Sequence, residues 1–223
     1  MSESEPLDTL LFTRTIGKRH ASLQPAIDAF EALARAEGWT LTHSEDGASF
    51  SPERLVRHAV VVLLNTTGDV LNAEQRESFE DYVAQGGGVL AIHAPSVIDF
   101  DWPWYERLIG ARFTQHPEPQ HGAVEVEDAE HPAMRGIPQR WQLHDQWYDF
   151  EQSPRAHVTV LASVDESSYE GGKMGKDHPI IWCHEALGGR SFYCGLGHDS
   201  ALYSDPLFVA HLAAAVRWCA RQA

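Results

Sequence analysis

The sequence predicts an α/β protein with a doubly wound, mostly parallel sheet and an antiparallel hairpin extension. Three observations indicate this fold. Strand-like and helix-like patterns alternate with short connections through the first half of the chain, a glycine-rich helix end at Gly86–Gly88 leads into a short apolar strand, and two apolar runs flank the turn sequence Glu185–Gly189. Strands joined through helices form right-handed parallel crossovers. A turn sequence between two apolar runs is typical of a hairpin.

The first half contains four predicted strands with helices between them. Ser22 is the expected N-cap of the first long helix and Gly38 its end, Ser51-Pro52 opens a short helix, and Asn72 caps the next one. The predicted strands are Asp8–Thr15, Thr40–His43, Ala59–Asn65 and Val89–His93, and the longer helices are Ala21–Gly38 and Asn72–Gln85.

The second half is expected to extend the same sheet, so that residues 1–223 form a single domain. Cys183 and Cys194 share a face of the predicted hairpin but are not opposite each other, so no disulfide is predicted. The predicted elements are a short helix at Tyr105–Ile109, strands at Ala123–Val126, His157–Val164, Ile180–His184 and Arg190–Gly195, and a final helix at Asp205–Arg221 with Leu207, His211, Ala214 and Trp218 on one stripe.

Composition restricts the partners and the location of the chain. Seventeen basic and thirty-two acidic residues give a formal net charge of −15, which repels nucleic acid and anionic membranes. We therefore expect a small-molecule partner and neither nucleic acid nor a membrane. Few cysteines, no signal-type segment and no long apolar run indicate a cytoplasmic protein. The sequence does not fix the oligomeric state, and a homo-oligomer stays open.

Histidines are the candidate functional residues, because several of the thirteen stand at predicted strand ends. His20, His93 and His198 each follow a strand whose carboxyl end faces one edge of the sheet, where ligands bind in open α/β folds. They could hold a divalent metal, zinc or a similar ion, or form an unmetallated pocket that moves protons. No HExxH spacing decides between these two. His116 and Asp145 are further candidates.

The remaining histidines are assigned to structural positions. His131 and His178 each precede a proline and are expected to order their own turns. The others are expected at the surface, at His43, His58 and His157, or packed on a helix face, at His211.

A nucleophile is missing where an α/β enzyme would place one. Ala91 and Pro95 occupy the glycine positions of a G-x-S-x-G elbow around His93, and no cysteine precedes Cys183. General acid/base or metal-assisted chemistry remains. Trp102, Trp147 and Tyr148 fall near the same loops, where aromatic rings either line a sugar site or pack in the core.

A set of short motifs together resembles the ThuA-like family of trehalose utilisation proteins, from about Leu10 to Trp218. The motifs are Phe12–Thr15 with His20, Leu64–Asp69, Gly86–Gly88 through His93-Ala94, Gly110-Ala111 with Phe113 and His116-Pro117, Asp145–Tyr148, Asp177–Ile180 with Trp182, and Gly189-Arg190 with Tyr193 and Leu196–His198. The resemblance implies a class I glutamine amidotransferase-like, flavodoxin-like fold that lacks the amidotransferase cysteine, with His93 in its place.

The resemblance also implies a role in disaccharide catabolism, beside oxidoreductases that make 3-keto sugars. We therefore expect a hydrolase or lyase that cleaves or rearranges a keto-glycoside, with His93, Asp145 and His116 as catalytic residues. Trp102, Trp147, Tyr148 and Gln146 are expected to bind substrate, and His20, His93 and His198 to hold any metal.

One residue departs from the family pattern. The family's usual Asp-Glu-x-Tyr is here Asp145-Gln146-Trp147-Tyr148, and glutamine cannot exchange a proton. A non-catalytic sugar-binding or regulatory domain is therefore the alternative. A glutamine amidotransferase conflicts with the missing cysteine.

Overall fold

The computed structural model describes residues 6–222 and contains a nine-stranded mixed sheet in the order β2-β1-β3-β4-β11-β10-β9-β6-β7. Strands β5 and β8 form a separate pair. The strands are β1 (Asp8–Phe12), β2 (Thr40–Ser44), β3 (Val60–Leu64), β4 (Gly88–Ile92), β5 (Phe113–Gln115), β6 (Gln120–Val126), β7 (Arg140–Asp145), β8 (Asp149–Phe150), β9 (Thr159–Asp165), β10 (Pro179–His184) and β11 (Ser191–Cys194). The helices are α1 (Leu23–Glu37), α2 (Pro52–Leu55), α3 (Ala73–Ala84), α4 (Pro103–Ile109) and α5 (Pro206–Cys219).

The first half of the sheet is parallel, in the order β2-β1-β3-β4-β11. Every residue of β3 and β4 is buried, as expected for strands covered on both faces. A Cβ on Gly87 would clash with Tyr82 of α3, and one on Gly88 would clash with Cys219 of α5. Successive strand residues point to opposite faces, so α3 and α5 cover opposite sides of the sheet. The predicted fold class is confirmed.

The other half of the sheet is antiparallel. Strands β10 and β11 form the predicted hairpin, with Ile181 opposite Cys194 and Cys183 opposite Phe192. The expectation of no disulfide is confirmed, because all three cysteines are free. The sheet continues beyond this hairpin through β9, β6 and β7. The antiparallel extension is thus longer than the hairpin that the sequence predicted.

Several local predictions were wrong. The first strand ends at Phe12, three residues early. Leu207 is 41% exposed and does not belong to the buried stripe of α5, which includes Phe208 instead. His58, expected at the surface, is buried and pairs with the Asp8 carboxylate. An imidazole can be buried in this way because the carboxylate satisfies its ring nitrogen.

Within residues 6–222, no helix combines the length and the apolar character needed to cross a membrane.

Candidate functional site

Three histidine side chains meet at the carboxyl edge of the parallel strands. His20 lies in the loop after β1, His93 directly follows β4, and His198 lies in the loop after β11. The ring centre of His20 is 5.0 Å from that of His93 and 5.5 Å from that of His198, and the centres of His93 and His198 are 5.5 Å apart. The structure therefore brings these three sequence-predicted residues together. We call them the histidine triad.

His93 occupies a sharp turn between β4 and a short 3₁₀ turn at Ala94–Ser96. Its backbone has φ 60° and ψ −94°, a conformation that non-glycine residues rarely adopt. Hydrogen bonds hold both backbone polar groups of His93. Its N–H donates to the Cys194 carbonyl at 2.8 Å, and its carbonyl accepts from the Tyr193 hydroxyl at 2.8 Å. The turn is thus a strained strand-to-helix elbow that presents an imidazole.

Hydrogen bonding fixes the tautomer of His93. Its Nδ1 lies 3.0 Å from the Gly195 carbonyl oxygen, which can only accept, so Nδ1 carries the proton. Its Nε2 then has a lone pair, and this buried atom has no partner within residues 6–222. The buried Nδ1 of His20 is also without a partner there. Buried polar atoms without partners are rare, and each is a candidate contact for a ligand.

Burial keeps the triad uncharged. It lowers the pKa of His20 to about 4, with smaller contributions from His198 and Lys18. Burial likewise holds the pKa of His93 well below its usual range, with a further contribution from His20. The half-buried His198 also has a lowered pKa, through burial and then Lys18. All three rings are therefore neutral at pH 7 and offer lone pairs.

Tyr148 and His116 adjoin the triad. The ring centre of Tyr148 is 4.2 Å from that of His93 and 5.8 Å from that of His116, whose ring is nearly parallel to it. Burial, and then the charge of Asp145, raises the pKa of Tyr148, so its hydroxyl keeps its proton. His116 is exposed, and its Nδ1 donates to the Pro117 carbonyl at 2.8 Å. Its other ring nitrogen, Nε2, takes no part in this bond.

Asp145 holds the loop that carries His198. Its two carboxylate oxygens accept the backbone N–H groups of Gly197 at 2.8 Å and Asp199 at 2.9 Å, on either side of His198. Gly197 has φ +120°, so this loop requires glycine there. Burial raises the pKa of Asp145 to about 6, against the lowering effect of these hydrogen bonds. The carboxylate is thus a positioning group whose oxygens are both engaged.

His178 was predicted to order its own turn, and this was wrong. It is fully buried, and its Nε2 donates to the carbonyl of Tyr148 at 2.8 Å. Its Nδ1 faces Glu166 at 2.9 Å and the Tyr169 hydroxyl at 3.2 Å. His178 thus fixes the backbone of Tyr148, a role that was missed although Asp177–Ile180 was among the motifs noted in the sequence.

Three of the expected substrate-binding residues are buried. The Trp147 indole is fully buried and donates to the Gln120 carbonyl at 3.2 Å. Trp102 is 8% exposed and packs beside α3, where its indole donates to Glu80 at 2.7 Å. Both indoles already have their hydrogen-bond partner, as is usual for core tryptophans. Gln146 is 3% exposed, whereas the Tyr148 ring packs against that of His93.

No cysteine in the described chain can replace the missing nucleophile. Burial raises the pKa of Cys183 and of Cys194 to about 12, and holds that of Cys219 well above its usual range. The thiolate is the reactive form, so these buried thiols are inert.

Metal-ligating side chains converge most closely at a different place. In residues 6–222, one set of three offers ligand atoms that all lie within 4.8 Å of one another: Asp149, Glu166 and His178. These atoms are already bonded, because Asp149 accepts from the Lys173 N–H and from Gln115, and Glu166 accepts from the Met174 N–H. We therefore interpret this set as a hydrogen-bond network that holds the 166–178 segment.

Two surface cavities lie away from the triad. One, of about 630 Å³, is lined by Ala59, Gly86 and Gly87, just before β3 and β4. It is therefore at the amino edge of the sheet. Another, of about 860 Å³, lies beside α4 and includes His157 and His184. The triad itself is covered, and His198 and the exposed His116 form its accessible side.

Comparison with models of known protein families finds a match over nearly the whole chain. The family described as "ThuA: Trehalose utilisation" matches residues 8–219. No curated protein sequence matches the chain.

Solved structures agree with this match. A protein of Bacteroides uniformis described as ThuA-like is 27% identical, with a TM-score of 0.84 over 98% of this chain and 94% of that one. A ThuA-like protein of Parabacteroides merdae is 21% identical, with a TM-score of 0.79 over 97% and 90%. The glutaminase domain of Trypanosoma brucei CTPS shares only the fold, at 9% identity and a TM-score of 0.53 over 95% and 94%.

Proposed function

The chain belongs to the ThuA, trehalose utilisation, family, and from this membership we propose that it acts on a carbohydrate, cleaving or rearranging an oxidised (3-keto) glycoside. The family match supports a carbohydrate as the class of substrate, and the chemistry of the site supports an oxidised form of it. The observation that carries the proposal is the juxtaposition of two proton-handling groups, Tyr148 and His116, beside the neutral triad.

An ordinary glycosidase mechanism does not suit this site. It uses two carboxyl groups on either side of the glycosidic bond. Here the buried carboxylate of Asp145 adjoins the loop of His198, and its oxygens are engaged by Gly197 and Asp199. A ketone at C3 removes the need for such a pair, because it acidifies the proton on C2 enough for a positioned imidazole.

In the proposed reaction, Nε2 of His116 removes the C2 proton. The electron pair left on C2 forms a double bond to C1 as the bond from C1 to the glycosidic oxygen breaks, and that oxygen takes a proton from the Tyr148 hydroxyl. The products are an unsaturated keto sugar and a free alcohol or sugar, and subsequent addition of water to the double bond would give net hydrolysis. Asp145 and His178 act as positioning residues, for His198 and Tyr148 respectively.

The test compares trehalose with its 3-keto derivative. We expect sugar release from the keto compound only, and a fall in kcat of about 10²- to 10⁴-fold in His116→Gln, the usual contribution of a positioned base. His157→Gln is the matched control, because it also removes an exposed imidazole, one that lines the separate cavity beside α4. Equal activity of the two variants would contradict the assignment of His116.

A non-catalytic sugar-binding domain is the second candidate, and Gln146 favours it. This residue is buried directly after Asp145, and its amide cannot transfer a proton as the family's usual glutamate can. Thermal stabilisation by plain disaccharides, together with inactivity on a panel of keto-disaccharides, would support binding without catalysis.

A further inference from the structure

We propose that the histidine triad, His20, His93 and His198, binds one divalent transition ion, with zinc as the expected metal. A catalytic role for this ion rests on the proposed function, but binding of the ion does not. When bound, such an ion acts as a Lewis acid that polarises a carbonyl or hydroxyl oxygen.

The ring positions fit a shared ion. Three imidazoles around one tetrahedral zinc, each bound at about 2.0–2.1 Å, have ring centres roughly 5 Å apart. The observed separations are 5.0, 5.5 and 5.5 Å. The nitrogens do not yet converge, because the triad is not among the sets whose ligand atoms lie within 4.8 Å. Binding therefore requires side-chain rotation that brings the ligand nitrogens together.

The state of the nitrogens is the second observation. His93 is fully buried, and its unpartnered Nε2 bears a lone pair because Nδ1 donates to the Gly195 carbonyl. A backbone carbonyl on the other ring nitrogen is the usual support of a metal-bound histidine. The buried Nδ1 of His20 is also unpartnered. A bound cation would give both of these buried nitrogens a partner.

The donor set selects the kind of ion. Three neutral imidazoles suit zinc and similar transition metals, whereas calcium and magnesium prefer oxygen ligands. A cation would also add positive charge beside Tyr148, which the neutral triad cannot provide. In the rival set, Asp149, Glu166 and His178, the two carboxylates already accept hydrogen bonds from the Lys173 and Met174 backbone, so a cation would compete with these donors.

Metal binding is measured directly on chelator-treated full-length protein, by calorimetric titration with Zn²⁺ and by the visible absorption of added Co²⁺. We expect one equivalent of zinc and the absorption of a tetrahedral cobalt site. His198→Gln and His20→Gln should each lower the affinity by more than the ~10- to 100-fold that loss of an outer-shell partner costs. Thermal unfolding of each variant verifies that it is folded.

Two controls locate the site. His157→Gln should bind as the wild type does, since this imidazole lies beside α4. Glu166→Gln should also bind normally, whereas loss of binding in this variant alone would assign the metal to the rival set. Zinc affinity unchanged in both His198→Gln and His20→Gln would overturn the proposal. Neither result depends on which sugar, if any, is turned over.

Discussion

At the scale of single residues, His93 combines an unfavourable backbone with an exceptional side-chain environment. Its φ of 60° lies where glycine is preferred, and its neighbours Cys194 and Tyr193 hold this backbone by hydrogen bonds. Strain of this kind persists only where the surrounding structure imposes it, and it concentrates at functional sites. The strain and the unpartnered Nε2 occur in the same residue, which is why we place function there.

The strain can be measured by comparing His93→Gly with His93→Ala. Both variants remove the imidazole, but only alanine keeps a Cβ at positive φ. We expect the glycine variant to be more stable by about 1 kcal/mol. Glycine relieves the backbone strain, but part of this gain is offset because glycine has more conformational entropy in the unfolded chain. Urea denaturation of the two proteins decides this. If the alanine variant is as stable as the glycine variant, the elbow stores no strain.

The roles of individual residues were harder to predict from the sequence than their positions in the fold. His20, His93 and His198 could be placed at one edge because strand ends fix their position, independently of what the rings contact. Trp147 and Trp102 could not be distinguished from site residues, because a buried indole with a backbone or carboxylate partner has the same sequence signal as one that faces a sugar.

At the scale of elements, long-range hydrogen bonds connect the loops that carry the triad. Ser22 was expected to cap α1, but its side chain makes no capping bond. Its hydroxyl instead donates to the Gly197 carbonyl at 3.0 Å and accepts from the Asn65 side chain at 3.2 Å. The loops after β1, β3 and β11 are thereby held together. No local pattern contains this information, because the partners are 43 and 175 residues from Ser22.

Removing this connection should loosen the site. Ser22→Ala leaves the buried Asn65 amide without its acceptor, and we expect a loss of about 1–3 kcal/mol in the free energy of unfolding. Ser78→Ala is the control, since that hydroxyl bonds only within α3, to the Glu74 carbonyl, and its loss should change stability by less than about 0.5 kcal/mol. Similar losses in the two variants would show that the connection contributes nothing specific.

The elements themselves were predicted unevenly. Strands β1, β3 and β4 and the β10–β11 hairpin have apolar runs and clear flanking turns, so they could be identified. Strand β7 was missed, although its residues alternate between exposed and buried from Arg140 to Leu143. Its period-two signal is weak because His144 and Asp145 end it with polar side chains, and Asp145 is buried only through the loop that it holds.

At the scale of the whole molecule, the fold and the chemistry are separable. The chain shares its fold with a glutaminase domain, yet its elbow presents His93, and its three thiols are buried with raised pKa values. A shared fold therefore does not imply shared chemistry, which depends on the side chains at the site.

Buried neutral histidines also make the stability of the whole molecule depend on pH. The pKa of the buried His211 is lowered by burial to about 4, against 6.5 for the unfolded chain. Above pH 6.5 the ring is neutral in both the folded and the unfolded state, so its protonation does not lower the free energy of unfolding. As the pH falls from 6.5 to about 4, the unfolded state takes up a proton that the folded state does not, and stability is lost. His20 and His93 act in the same direction.

Asp145 opposes this trend. Burial raises its pKa to about 6 from 3.8, so its ionisation disfavours the folded state above pH 6, and acidification relieves that cost. The effect of this one carboxyl group is opposed by those of the three imidazoles of His211, His20 and His93. We therefore expect a net loss of stability on going from pH 7 to pH 4.5. His211→Gln should lessen the loss by about 2 kcal/mol, from a pKa shift worth about 1.4 kcal/mol per unit. Urea unfolding of both proteins at the two pH values measures it, and equal losses would show that His211 does not titrate differently on folding.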